Sequence, residues 1–229
     1  GVAAGEGNTI AHNGKAGVSI TAGPFNAAKK TAIIGNSIYA NGRLGIDLDT
    51  EIEDVYGVSQ DAVEGTVGDL SPNNRQRAPL LESVDRDPQT ARVTATGTLT
   101  SVPGTRFRIE LFASDAIDPS GHGEGQRLLN DSGEDVITTD GTGRVAFTIQ
   151  SDRTAGPSDY ISATVTRLQN DVLTDTSEFS NTLQLGTKSI RGIVYLDRNG
   201  NASRDTDAQT QGLEAGIGQW LVTLFNVST

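Results

Sequence analysis

Residues 7–20, GNTIAHNGKAGVSI, return 28 positions later as GNSIYANGRLGIDL at 35–48. Six of the fourteen positions are identical: Gly7/Gly35, Asn8/Asn36, Ile10/Ile38, Asn13/Asn41, Gly14/Gly42 and Gly17/Gly45. Four more are conservative, Thr9/Ser37, Lys15/Arg43, Val18/Ile46 and Ile20/Leu48. Asn-Gly punctuation between short alternating apolar runs is the pattern of stacked coils in a parallel β-solenoid. With an apolar period of two, Ile10, Ile38, Val18, Ile20, Ile46 and Leu48 point inward from short strands. Asn8 and Asn36 fall at equivalent corners, where stacked amides hydrogen-bond along the array. A coil buries its apolar face only against neighbours, so three or more are normally needed. The expectation is a chain that begins partway through something larger, or that stacks on something outside itself.

Outward from the repeat, the pattern divides into coils over 1–50, an acidic linker or capping loop over 51–77, a second module over 78–186 and a third over 187–229. The second stretch is irregular and broken by Gly and Pro. Over 78–186, strands are predicted near 79–84, 91–99, 105–113, 126–130, 134–139, 144–149, 160–167 and 178–185. Turn signals separate them, among them Val102-Pro103-Gly104, Asp118-Pro119-Ser120-Gly121, Asp140-Gly141 and Ala155-Gly156-Pro157. That count of short strands is the signature of an antiparallel β-sandwich. Phe107, Ile109 and Leu111 share one face of their strand. The last stretch shows two strands, SIRGIVYLD and GQWLVTLFNV, an incomplete sandwich.

Composition narrows the function classes. The chain has 229 residues, net charge −11 and no basic stripe, which excludes a nucleic-acid role. No apolar run approaches the ~20 residues of a membrane span. Cysteine is absent, so no disulfide contributes, and methionine is absent too, which fits an internal or processed segment.

The sharpest site candidate is the loop from Asp197 to Asp205. Asp197, Asn199, Asn201 and Asp205 occupy relative positions 1, 3, 5 and 9 of a calcium loop, and Ser203 supplies its carbonyl at position 7. Calcium takes six to eight hard oxygens, and alternation lets a tight loop wrap them around one centre. Ala202 and Ala208 depart from the Gly and Glu of a strict EF-hand, and Glu214 is the carboxylate available further on. The alternative is a polar hairpin loop without metal.

Two resemblances attach here. YLDRNGN followed by GLEAGIGQWLVTLF resembles the start of the B-type domains of bacterial serine-aspartate-repeat surface proteins, over about 40 residues. The resemblance implies that Asp197, Asn199, Asn201, Asp205 and Glu214 ligate calcium. The series GNSIYANGRLGIDL, SPNNRQRAPLL, DPSGHGEGQ and DTSEFSNT resembles exported bacterial repeat proteins in which a right-handed parallel β-helix runs into an immunoglobulin-like module. It implies a secreted or cell-surface location and no particular reaction.

The expected fold class is therefore all-β: the last coils of a parallel β-helix, an immunoglobulin-like sandwich and a partial B-type domain. The expected role is non-catalytic, a stalk, adhesin or surface-layer segment stiffened by calcium, with homo-polymerisation through the open coil end and the incomplete sandwich as a partner reading. The alternatives are a fragment of a β-helix polysaccharide lyase or hydrolase, or a carbohydrate-binding module. Asp47 and Asp49 share a strand face, and Lys15 and Arg43 are stacked equivalents, a pattern that also suits an ordinary charged face. His12 and His122 read as turn residues, Ser120 and Glu124 as part of a Gly-rich loop, and Trp220 as core.

Overall fold

The computed structural model describes residues 6–21, 29–48, 55, 57–58, 71–130 and 135–186. All of them fall in one compact unit, Gly1–Thr187. Among the described residues the protein is all-β, with no helix long and apolar enough to cross a membrane.

The repeat forms two parallel rungs. Strands β1 (Thr9–Ala11) and β2 (Val18–Ser19) belong to the first, β3 (Ser37–Tyr39) and β4 (Ile46–Asp47) to the second. β1 pairs in parallel with β3 and β2 with β4. The register sets Thr9 against Ser37, Ile10 against Ile38 and Val18 against Ile46, the offset of the sequence repeat. Side chains alternate as the period requires. Ile20, Ile38, Ile46 and Leu48 are buried, while Ile10 and Val18, on the outer rung, are only partly covered.

The rest is antiparallel. β5 (Leu80–Arg86), β6 (Arg92–Thr100) and β10 (Arg144–Thr154) make a three-stranded sheet in the order β10-β6-β5. β7 (Arg106–Ser114), β8 (Arg127–Leu128), β9 (Val136–Thr138), β11 (Tyr160–Gln169), β12 (Val172–Thr176) and β13 (Leu183–Gln184) make a six-stranded one. Both sheets contribute to one core that includes Val93, Leu99, Phe107, Ile109, Leu111, Phe147, Ile161 and Val165. Phe107, Ile109 and Leu111 share its face of β7, as their alternation predicts.

The opposite faces of β7 and β11 are buried too, although they are polar. Arg108, Glu110 and Ser114 on β7, and Ser162, Thr164 and Thr166 on β11, are nearly inaccessible. Much of that face lies under the rungs and the loop 115–126. Phe112, on the same side of β7, joins Phe179, Leu128 and the rung isoleucines in a second core.

One strand differs from expectation. An unexpected strand, β12, makes a hairpin with β11, and of the strand expected over 178–185 only β13 pairs regularly. The hairpin turns on Asn170 and Asp171, both left-handed (φ 52° and 60°), a geometry these two residues tolerate well. Beyond β12, Ser177 N and Ser180 N still donate to Val165 O and Ala163 O, but hydroxyls take the return bonds. Val165 N donates to Ser177 Oγ (3.1 Å) and Ala163 N to Ser180 Oγ (2.9 Å). Serine and threonine compete with backbone pairing in this way, so the Ser-rich run after β12 lies along β11 without forming a regular strand.

Candidate functional site

The site that the fold builds is the junction where the second rung meets the antiparallel module. It is assembled from side chains that stand in for a third rung. Asn13 donates from both its backbone N (3.2 Å) and Nδ2 (2.9 Å) to Asn41 Oδ1. Asn41 in turn donates from its backbone N and its Nδ2 to Glu124 Oε1, each at 3.1 Å. Glu124 thus occupies the acceptor place that an asparagine of a next rung would fill, and its Oε2 takes Ala40 N at 2.6 Å. A carboxylate accepts and cannot donate, so the ladder stops there with its polarity fixed. A second ladder runs from Asn8, whose N (2.9 Å) and Nδ2 (3.1 Å) donate to Asn36 Oδ1. Beside it, Gly35 N donates to Glu110 Oε2 at 3.2 Å.

Backbone and core complete the cap. Ile38 N donates to Gly125 O (2.8 Å) and Gly125 N to Ile38 O (2.7 Å), a single antiparallel bridge on the side of β3 away from β1. Gly125 is required by close approach: a Cβ there would lie 2.7 Å from the Phe112 ring and 2.8 Å from the Phe179 ring. Further along the rung, Lys30 N donates to Asp175 Oδ1, Ile33 N to Thr176 Oγ1 and Leu48 N to Glu178 Oε1. Asn73, fully buried, ties three segments: its Oδ1 accepts Thr31 N (3.0 Å) while its Nδ2 donates to Thr31 O (2.8 Å) and Thr176 O (2.9 Å). It sits at φ 42°, ψ 36° in the turn Pro72–Arg75. Buried backbone groups demand partners, and these side chains supply them where the strand ladder ends.

The carboxylates carry a pH signature. Burial pushes the Glu110 carboxyl above the usual glutamate range, against the pull of Arg108 Nη2 at 3.2 Å and Gly35 N. Burial also raises Glu124, outweighing the donors of Asn41 and Ala40. A folded-state value raised above 4.5 contributes stability that is fully present below about 4.5 and is lost as pH rises through the folded value. Three exposed aspartates act oppositely. Backbone donors of Thr90 and Gln89 lower Asp87, those of Arg144 and Thr142, with the Thr142 hydroxyl, lower Asp140, and Arg127 lowers Asp115. Their contribution is present above 3.8 and lost as pH falls through their lowered values. The unfolding midpoint is therefore expected to rise between pH 7 and about 4.5 and to fall below about 3.8. Thermal unfolding against pH checks this: with Glu110→Gln and Glu124→Gln combined, the rise should shrink, and an unchanged rise would contradict the assignment.

The calcium candidates Asp197, Asn199, Asn201, Ser203, Asp205 and Glu214 lie outside the described residues, as do Asp49 and Trp220. Among the described residues no three His, Asp or Glu side chains are grouped to hold a metal. Lys15 and Arg43 are exposed on successive rungs. His12 is exposed and meets Tyr39 edge-on at 5.8 Å. His122 is partly buried, with Nδ1 3.3 Å from Phe179 O. The Gly-rich loop holding Ser120 and Glu124 is the one that carries the rung cap. Sequence reading passed over Asn73, Glu110, Asp175, Thr176 and Glu178.

Comparison with protein-family models finds none that matches, and comparison with curated proteins finds no significant match.

Proposed function

We propose that this chain is a non-catalytic structural segment of a secreted or cell-surface protein, a stalk, adhesin or filament subunit. In this reading the rungs are the last coils of a right-handed parallel β-helix, and the antiparallel module is an immunoglobulin-like sandwich that terminates it. Residues from 187 onward begin a B-type domain, in which Asp197, Asn199, Asn201, Ser203, Asp205 and Glu214 hold calcium. The observation that carries the reading is the one-way polarity of the asparagine ladders. Asn13 donates to Asn41 and Asn41 to Glu124, Asn8 donates in the same sense to Asn36, and the outermost acceptors, Asn8 Oδ1 and Asn13 Oδ1, belong to the first rung. A further rung of the same Gly-Asn pattern, from a longer chain or a second copy, fits that edge. Such arrays gain stability from each nearest-neighbour interface, which suits a load-bearing rod.

The test is thermal unfolding of the chain with an added copy of residues 7–34 spliced ahead of Gly7. Stacking predicts a higher midpoint; an unchanged or lower one overturns the rung reading. Recording the same curves in millimolar calcium addresses the metal. Extracellular modules bind calcium at ~10⁻⁴–10⁻³ M, and linkage then raises the midpoint. Asp197→Ala should abolish that rise, and no shift in the parent chain would remove calcium from the proposal.

A further inference from the structure

We infer that Asn13-Gly14 is a self-modification site, a slow amide-to-acid conversion that loosens this rung wherever no further rung covers it. The chemistry needs a nucleophilic backbone nitrogen next to an asparagine side chain, and glycine leaves that nitrogen least hindered. Gly14 N attacks Asn13 Cγ, the Cγ–Nδ2 bond breaks, and ammonia departs with the proton from Gly14 N. Water then adds across the resulting succinimide and opens it to an aspartyl or isoaspartyl residue.

The repeat provides the same dipeptide twice, once with the glycine nitrogen free and once with it engaged, although Asn13 Nδ2 itself donates to Asn41 Oδ1. Asn13 and Gly14 are both exposed. Among the described residues Gly14 N has no partner, and a Cβ built on Gly14 meets nothing within 4 Å. Gly42 N, its counterpart, donates to Asn13 O at 2.8 Å. The Asn41 side chain is also fixed, with Nδ2 reaching Glu124 Oε1 (3.1 Å) and Ile10 O (3.3 Å) and Oδ1 accepting twice from Asn13. A covering rung would engage Gly14 N as Asn13 O engages Gly42 N, so the reaction belongs to a rung left uncovered.

Conversion has a defined consequence. The Nδ2 donor that lies 2.9 Å from Asn41 Oδ1 becomes an oxygen. Asn41 cannot turn its amide to compensate, because Glu124 accepts and cannot donate. Two acceptors then face each other at the corner between β1 and β3, and the isoaspartyl product also lengthens the backbone at a tight turn.

The experiment incubates the full chain in mildly alkaline buffer and follows both sites by peptide mass mapping, beside the same chain unfolded in urea. In the folded chain Asn13 should convert about two- to tenfold faster than Asn41, the protection expected from one retained hydrogen bond. In urea the two should converge. Gly14→Ala, which the open space accommodates, should suppress conversion at Asn13 without moving the unfolding midpoint. Equal rates at the two sites in the folded chain would overturn the inference. So would an unconverted Asn13 over times in which the unfolded chain reacts.

Discussion

Replacing Asn73 with alanine should cost about 3–5 kcal/mol, because each buried group left without a partner costs ~1–3 kcal/mol. Three backbone groups lose a partner: Thr31 N, Thr31 O and Thr176 O. The sum is not simply additive, since Thr31 O keeps a bond from Thr176 N at 3.3 Å. The backbone adds a second term. Asn73 is left-handed, a conformation that costs alanine roughly 1 kcal/mol more than asparagine. Asn73→Gly should therefore lose the same hydrogen bonds yet sit about 1 kcal/mol above Asn73→Ala, since glycine adopts that region freely. Denaturant unfolding at constant slope measures both. A loss below about 1 kcal/mol for alanine would show that the side chain does not hold the segments together.

Phe179→Ala is the second large effect, at about 3–5 kcal/mol for a fully buried aromatic. Phe179 lies in the rung core, with its ring 5.4 Å from that of Phe112 and at 78° to it. Edge-to-face pairs add ~0.5–1.5 kcal/mol beyond burial, so a double-mutant cycle with Phe112→Ala should show coupling of that size. Strict additivity would mean that the two rings stabilise separate units. Limited proteolysis adds a discriminating readout. Cleavage should appear first in the rung segments, while the core around Phe107 and Leu111 persists.

Much of the fold was legible because it follows from periodicity. The 28-residue return fixed the rung register, since parallel pairing sets equivalent residues side by side. The inward set Ile38, Ile46 and Leu48 followed from alternation. The strands of the antiparallel module were legible where apolar residues alternate, as in Phe107, Ile109 and Leu111. Legibility failed at Ser177 to Asn181, where hydroxyls replace the backbone acceptors of a regular ladder. It failed again on the second face of the six-stranded sheet. Arg108, Glu110, Ser162 and Thr164 look like a solvated face, and only the tertiary docking of the rungs buries them. The same holds for the cap. Glu124 imitates an asparagine of a further rung, yet no local pattern marks a residue whose partner lies 83 positions away.

The claim on which the rest depends is that the antiparallel module terminates the rung stack. Native-state hydrogen exchange tests it residue by residue. The amides of Ile38, Ala40, Asn41 and Leu48 should exchange as slowly as those of β7 and β11, because Gly125, Glu124 and Glu178 hold them. Exchange of those four at the rate of an unstructured peptide, with β7 and β11 still protected, would contradict it.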